Sequence, residues 1–160
     1  LTKRGIYAHV DSKEAIWNDA YERAVKSRRG SVFKGVRKVS DPMDRIGKAI
    51  ENDLREYCCG EVFEGGCFFF NSLVELSGQS PEMSGRILSG IMRFSDLLAS
   101  WLEEAKSQGK LKTGVRIKEV ADFIVTSVNG AAALYAATRD SRYPRTIEHQ
   151  LNEYLQSFRA

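Results

Sequence analysis

The sequence is poor in residues that crosslink a chain, ligate metals or break helices: three cysteines, three prolines and two histidines among 160 residues. Cys58 and Cys59 are adjacent and Cys67 is left over, which is no disulfide framework and suits reduced thiols in a cytosol. A zinc site would need paired spacings with further ligands nearby, and His9 and His149 lie far from the cysteines. No metal and no cofactor is expected. No stretch approaches the ~18 apolar residues of a membrane span. The polar, basic opening Leu1–Gly5 has no apolar signal core behind it. A cytoplasmic protein with no membrane partner is expected. Repeats and low-complexity tracts are absent, which sets aside solenoids and linkers. So are a Ser-His-Asp grouping, a paired-carboxylate motif and a phosphate-binding glycine loop, so nothing points to an enzyme.

Apolar residues make up 42% of the chain and aromatics 10%, enough to fill a core. Charge is unevenly spread. Residues 1–48 carry twelve Lys/Arg against six Asp/Glu, and the remainder twelve against fifteen. A basic end on a mildly acidic body suits a protein that presents one end to phosphate.

Each proline stands where a helix should begin. Asp41-Pro42 and Ser80-Pro81-Glu82 combine a capping side chain, a proline and, in the second, an early acid. Tyr143-Pro144 opens the last helix. Asp11, with Glu14 three residues on, predicts a further start as a capping box. Behind these signals lie apolar stripes at helical spacing: Ile46, Ile50, Leu54, Tyr57 and Cys58; then Ile87, Ile91, Phe94, Leu98 and Trp101. Residues 117–139 are apolar around nearly the whole circumference, and Ile147, Leu151, Tyr154, Leu155 and Phe158 share one side of the final helix. Cys67–Leu76 reads as a buried strand or a short helix, with helix favoured because a lone strand has nothing to pair with. The basic stretch Ser27–Ser40 reads as a fraying helix end or a loop. The prediction is an all-α fold of about six helices. A helix apolar all round must be covered all round. Residues 117–139 and 143–159, including Leu151, Leu155 and Phe158, are therefore expected to build a four-helix homodimer interface.

The stretch Leu1-Thr2-Lys3-Arg4-Gly5-Ile6-Tyr7-Ala8-His9-Val10 followed by Asp11-Ser12-Lys13-Glu14-Ala15-Ile16 is the most specific part of the chain. It resembles the tetracycline-repressor (TetR/AcrR) family at the end of its helix-turn-helix: a hydroxyl residue, a base, a small residue, an aliphatic, then Tyr-x-His before a Ser-Lys-Glu helix start. Val10 and Ile16 replace the usual Phe and Leu and keep apolar pegs. The later helix starts resemble the same family more loosely. The resemblance implies that residues 1–28 are the tail of the DNA-binding domain, and that the two helices before Leu1 lie outside this sequence. Residues 41–160 would form an effector-binding and dimerisation domain. It further implies a double-stranded operator DNA partner. Thr2, Lys3 and Gly5 would face the major groove, and Tyr7, His9 and Lys13 the phosphates. A small apolar or aromatic effector would enter a cavity among the middle helices, with Tyr57, Asn71, Phe94, Trp101, Phe123 and Ser127 as candidate lining. Repression relieved by that effector is the family expectation. The competing readings are a redox sensor working through Cys58, Cys59 or Cys67, and a small helical enzyme.

Overall fold

The computed structural model of the protein describes residues 12–59 and 67–160, with Lys13 and residues 56–59 described by backbone alone. Helix α1 spans Lys13–Val32 and is capped by Ser12, whose Oγ accepts from the Ala15 N–H at 3.1 Å. The cap thus sits one residue later than the expected Asp11, with Ser12 in extended backbone, the conformation that turns a hydroxyl onto the first free N–H groups. The helix also runs further than the expected fraying, through Gly30 to Val32, before a 3-10 turn at Val36–Lys38. A tertiary contact accounts for that. The Asn52 amide donates to the carbonyls of Val32 and Lys34, both at 2.9 Å, and Val32 and Val36 bury beside Ala49. Gly35, at φ 74°, makes the reversal between helix and turn.

Helix α2 (Pro42–Cys59) starts where Asp41-Pro42 predicts: Asp41 Oδ1 accepts from the N–H groups of Met43 and Asp44. Partial burial of Asp41 works against its charge. The Lys110 ammonium, those two N–H groups and nearby Arg159 outweigh it and lower the pKa from 3.8 to about 2. Met43, Ile46, Ile50 and Leu54 are buried, so α2 forms the axis of the bundle and touches α1 and the three long helices that follow. Each such side chain contributes roughly 1.5–3 kcal/mol by leaving water.

Helix α3 (Phe68–Leu76) settles the open segment as helix, with Cys67 as N-cap and its Sγ accepting from the Phe70 N–H at 3.4 Å. Helices α4 (Pro81–Ser107), α5 (Ile117–Thr138) and α6 (Arg142–Ser157) complete the bundle. Gly109 and Gly114, both at positive φ, shape the α4–α5 connection, where Leu111 forms a single bridge with Arg159. Between α4 and α5 the Ser95 hydroxyl and Lys118 ammonium bind the Asp122 carboxylate and hold its pKa below the usual range. The all-α prediction holds: six α-helices and no strand occur among the described residues.

By length and composition alone α5 could cross a membrane. This corrects the expectation that no stretch comes near a span. Its apolarity has another cause within the bundle, since Val120, Ile124 and Val128 are buried against neighbouring helices. The expectation that α5 is apolar on both sides also holds. Its outer side leaves Phe123 51% and Leu134 47% exposed.

Candidate functional site

A cleft of about 480 Å³ opens between α1, the start of α3 and the middle of α4. Packing of α1 against the bundle creates it: Tyr21 and Ala24 bury, while the next positions round the helix face the gap. Its apolar wall comes from Val25, Phe33, Phe69, Ile91, Phe94 and Leu97. Gly90 lets the Tyr21 hydroxyl sit close to α4, because a Cβ there would stand 3.3 Å from it, and that hydroxyl donates to the Arg86 carbonyl.

The polar lining is strongly one-signed. Arg28 and Arg29 enter from α1, Arg86 and Arg93 from α4, with Glu22 as the one carboxylate among the lining residues. Arg28 forms a fork with Asp53 of α2, Nη2 to Oδ2 at 2.8 Å and Nε to Oδ1 at 3.2 Å, and Asp53 is 1% exposed. The same guanidinium lies 5.4 Å from the ring centres of both Phe69 and Phe94. Arg86 pairs with Glu22, donates to Asn18 and stacks over Tyr21 at 4.6 Å. Arg29 and Arg93 are exposed and form no ion pair among the described residues. A cleft of this size with aromatic walls and spare guanidinium donors can bind a small molecule.

Of the candidate lining residues, Phe94 stands in the cleft. Trp101 lies further along α4, under the guanidinium of Arg45 at 5.6 Å. Phe123 and Ser127 are on the outer side of α5, where the Ser127 hydroxyl donates to the Phe123 carbonyl. Asn71 is exposed on α3. The side chains of Tyr57, Lys13, Cys58 and Cys59 lie outside what is described, as do residues Thr2, Lys3, Gly5, Tyr7 and His9. Cys67 is a buried thiol, 1% exposed, which leaves little access for an oxidant. The arginines escaped the sequence reading, which looked for aromatics. The available signal was Arg86, Gly90, Arg93 and Leu97, spaced four, three and four apart, one stripe of a helix with a gap in its middle.

The outer side of α5 forms a second feature. Phe123, Ser127, Gly130 and Leu134 fall within about 60° of one another at 100° per residue. Beside them on α6, Tyr154 packs edge-on against Phe123 at 5.1 Å and Phe158 at 4.6 Å. Leu151 and Leu155 were expected on this surface. They are instead buried within the chain's own core, as is Ala132, because α6 turns that face toward α2.

Comparison with known proteins gives a family and a fold. The family described as tetracyclin repressor-like, C-terminal domain, matches residues 42–151. No curated protein matches the sequence. A TetR-family transcriptional regulator from Cytophaga hutchinsonii superposes with a TM-score of 0.84 at 17% identity, over 100% of this chain and 80% of that one. A TetR transcriptional regulator from Chloroflexus aurantiacus gives 0.88 at 20% identity, over 96% and 77%. One from Haloarcula marismortui gives 0.75 at 15%, over 99% and 81%.

Proposed function

The chain belongs to the tetracycline-repressor family of transcriptional regulators, and from that premise we propose that it is a cytoplasmic, dimeric repressor whose effector binds in the α1–α3–α4 cleft. It acts by binding alone, without turnover. The observation that carries this reading is the position of the cleft. One wall is α1, which follows the Leu1–Asp11 segment directly in the chain, so a molecule wedged against Val25 and Arg28 bears on the helix next to the DNA-reading residues. In this reading residues 1–28 close the DNA-binding domain and residues 41–160 bind effector and partner subunit. Thr2, Lys3 and Gly5 face the major groove, and Tyr7, His9 and Lys13 hold phosphates. The Phe123–Leu134 face supports dimerisation, since an apolar stripe of that length on a bundle helix is otherwise left in water.

An effector weakens operator binding only as far as it prefers the non-binding arrangement, typically by ~1–3 kcal/mol, and operator must weaken effector binding by the same factor. The test uses protein with a complete helix-turn-helix and duplex DNA followed by fluorescence anisotropy. Pseudo-palindromic DNA is expected to bind with affinity falling steeply as salt rises. Lys13→Ala should weaken all sequences alike and flatten the salt slope by about one charge. Indifference to any duplex at low salt would refute the proposal.

A further inference from the structure

We infer that the effector is an amphipathic organic carboxylate, with an apolar body against the cleft's phenyl rings and its anionic head on Arg29 and Arg93. The inference rests on the reading of the cleft as the effector site and adds the ligand's charge and shape.

Charge is the first argument. Four guanidiniums meet at the cleft, and two of them already have carboxylate partners, Arg28 with Asp53 and Arg86 with Glu22. Among the described residues two positive charges remain, on Arg29 and Arg93, which approach the cleft from opposite walls. Like charges held over one concavity repel each other, and an anion between them relieves the repulsion while accepting directed N–H bonds. A neutral effector would leave that repulsion in place, and a cationic one would add to it.

Shape is the second. A site for an inorganic anion would be small and polar. This one holds about 480 Å³ and is walled by Phe33, Phe69, Phe94 and Ile91. That volume lies in the range of about 300–1,000 Å³ that takes drug-sized organic ligands. A charged head with an apolar tail satisfies both halves of the cleft, and neither half alone accounts for the other.

The experiment is calorimetric titration of the chain with matched pairs that differ only in charge. The first pair is 4-phenylbutyrate with 4-phenylbutyramide, the second octanoate with octanamide, and 4-phenylbutylamine is the cationic counterpart. The carboxylate of each pair is expected to bind at least about tenfold tighter than its amide, equivalent to about 1.4 kcal/mol. The amine should bind most weakly. Arg29→Gln and Arg93→Gln should each shrink the carboxylate's advantage, and the double variant should erase it. Ile91→Trp and, independently, Val25→Trp should block all the probes, with circular dichroism showing that each variant is folded. Amide and carboxylate binding equally, yet blocked by the tryptophans, would overturn the anion inference and leave the effector cleft standing. Binding indifferent to both folded tryptophan variants, or no binding by any probe up to about 1 mM, would overturn both.

Discussion

The Arg28–Asp53 pair joins α1 to α2 at the edge of the cleft, and its removal one side at a time should give unequal losses. Asp53 is 1% exposed, so Arg28→Leu leaves a carboxylate inside the bundle without its fork of donors. Stranding a buried charge costs about 3–5 kcal/mol, a large share of the ~5–15 kcal/mol that holds a domain together. Asp53→Leu is the milder change. The Arg28 side chain is 16% exposed, lies over Phe69 and Phe94, and can reach cleft water, so about 1–3 kcal/mol is expected. With both residues replaced by leucine no charge is stranded, and stability should return to within about 1–2 kcal/mol of the unaltered protein. The cycle therefore predicts a coupling of at least about 2 kcal/mol. Urea unfolding followed by far-ultraviolet circular dichroism at one fixed protein concentration measures it, with a constant m-value as the check on two-state behaviour. An Arg28→Leu cost of under about 1 kcal/mol, the scale of a solvated surface pair, would refute the assignment of Asp53 as a desolvated charge.

Asp41 should make stability fall in acid. Its folded pKa of about 2 lies below the unfolded 3.8, so its contribution is complete above 3.8 and disappears as pH falls through about 2. Asp41→Asn should cost about 1–2 kcal/mol at neutral pH, after discounting for screening, and the difference between the two proteins should close on acidification in pH-dependent urea melts. Phe123→Glu and Leu134→Glu should yield folded monomers by sedimentation, whereas Leu151→Glu should unfold the chain because Leu151 is core; a dimer surviving in both surface variants would place the interface elsewhere. Asn129 is buried on α5, and its Oδ1 has no partner among the described residues while its Nδ2 donates to Val125. Asn129→Leu should therefore raise the urea midpoint, by about 1 kcal/mol of stability, and a loss of that size would mean the amide is satisfied.

The helix starts were legible because their causes are local. Asp41 reaches N–H groups two and three residues on, and no distant part of the fold is needed to place it. The all-α class followed from such signals and the apolar stripes between them. The end of α1 was not legible, since Gly30 argues for a break and the restraint on Val32 comes from Asn52, twenty residues away. The cleft was harder still. Arg28 and Arg86 meet only because α1 packs near α4, and aromatic composition does not distinguish Phe94 at the cleft from Phe123 on the outside of α5. Which leucines of α6 face inward likewise depends on a rotation of that helix which its spacing leaves free.

The attachment of α1 has a mechanical consequence. Its C-terminal end is held by the Asn52 amide and the Arg28–Asp53 fork, while Glu14 and Ile16 near the other end are exposed. A twenty-residue helix is roughly 30 Å long, a stiff lever arm with its fulcrum at the Val32 end. Tilting such an arm by about 5° sweeps its far tip through roughly 2.6 Å. Val25 and Arg28 lie close to the fulcrum, so a ligand seated there works at a mechanical disadvantage in force and a matching advantage in displacement. Less than an ångström of wedging at the cleft becomes a few ångströms at Ser12.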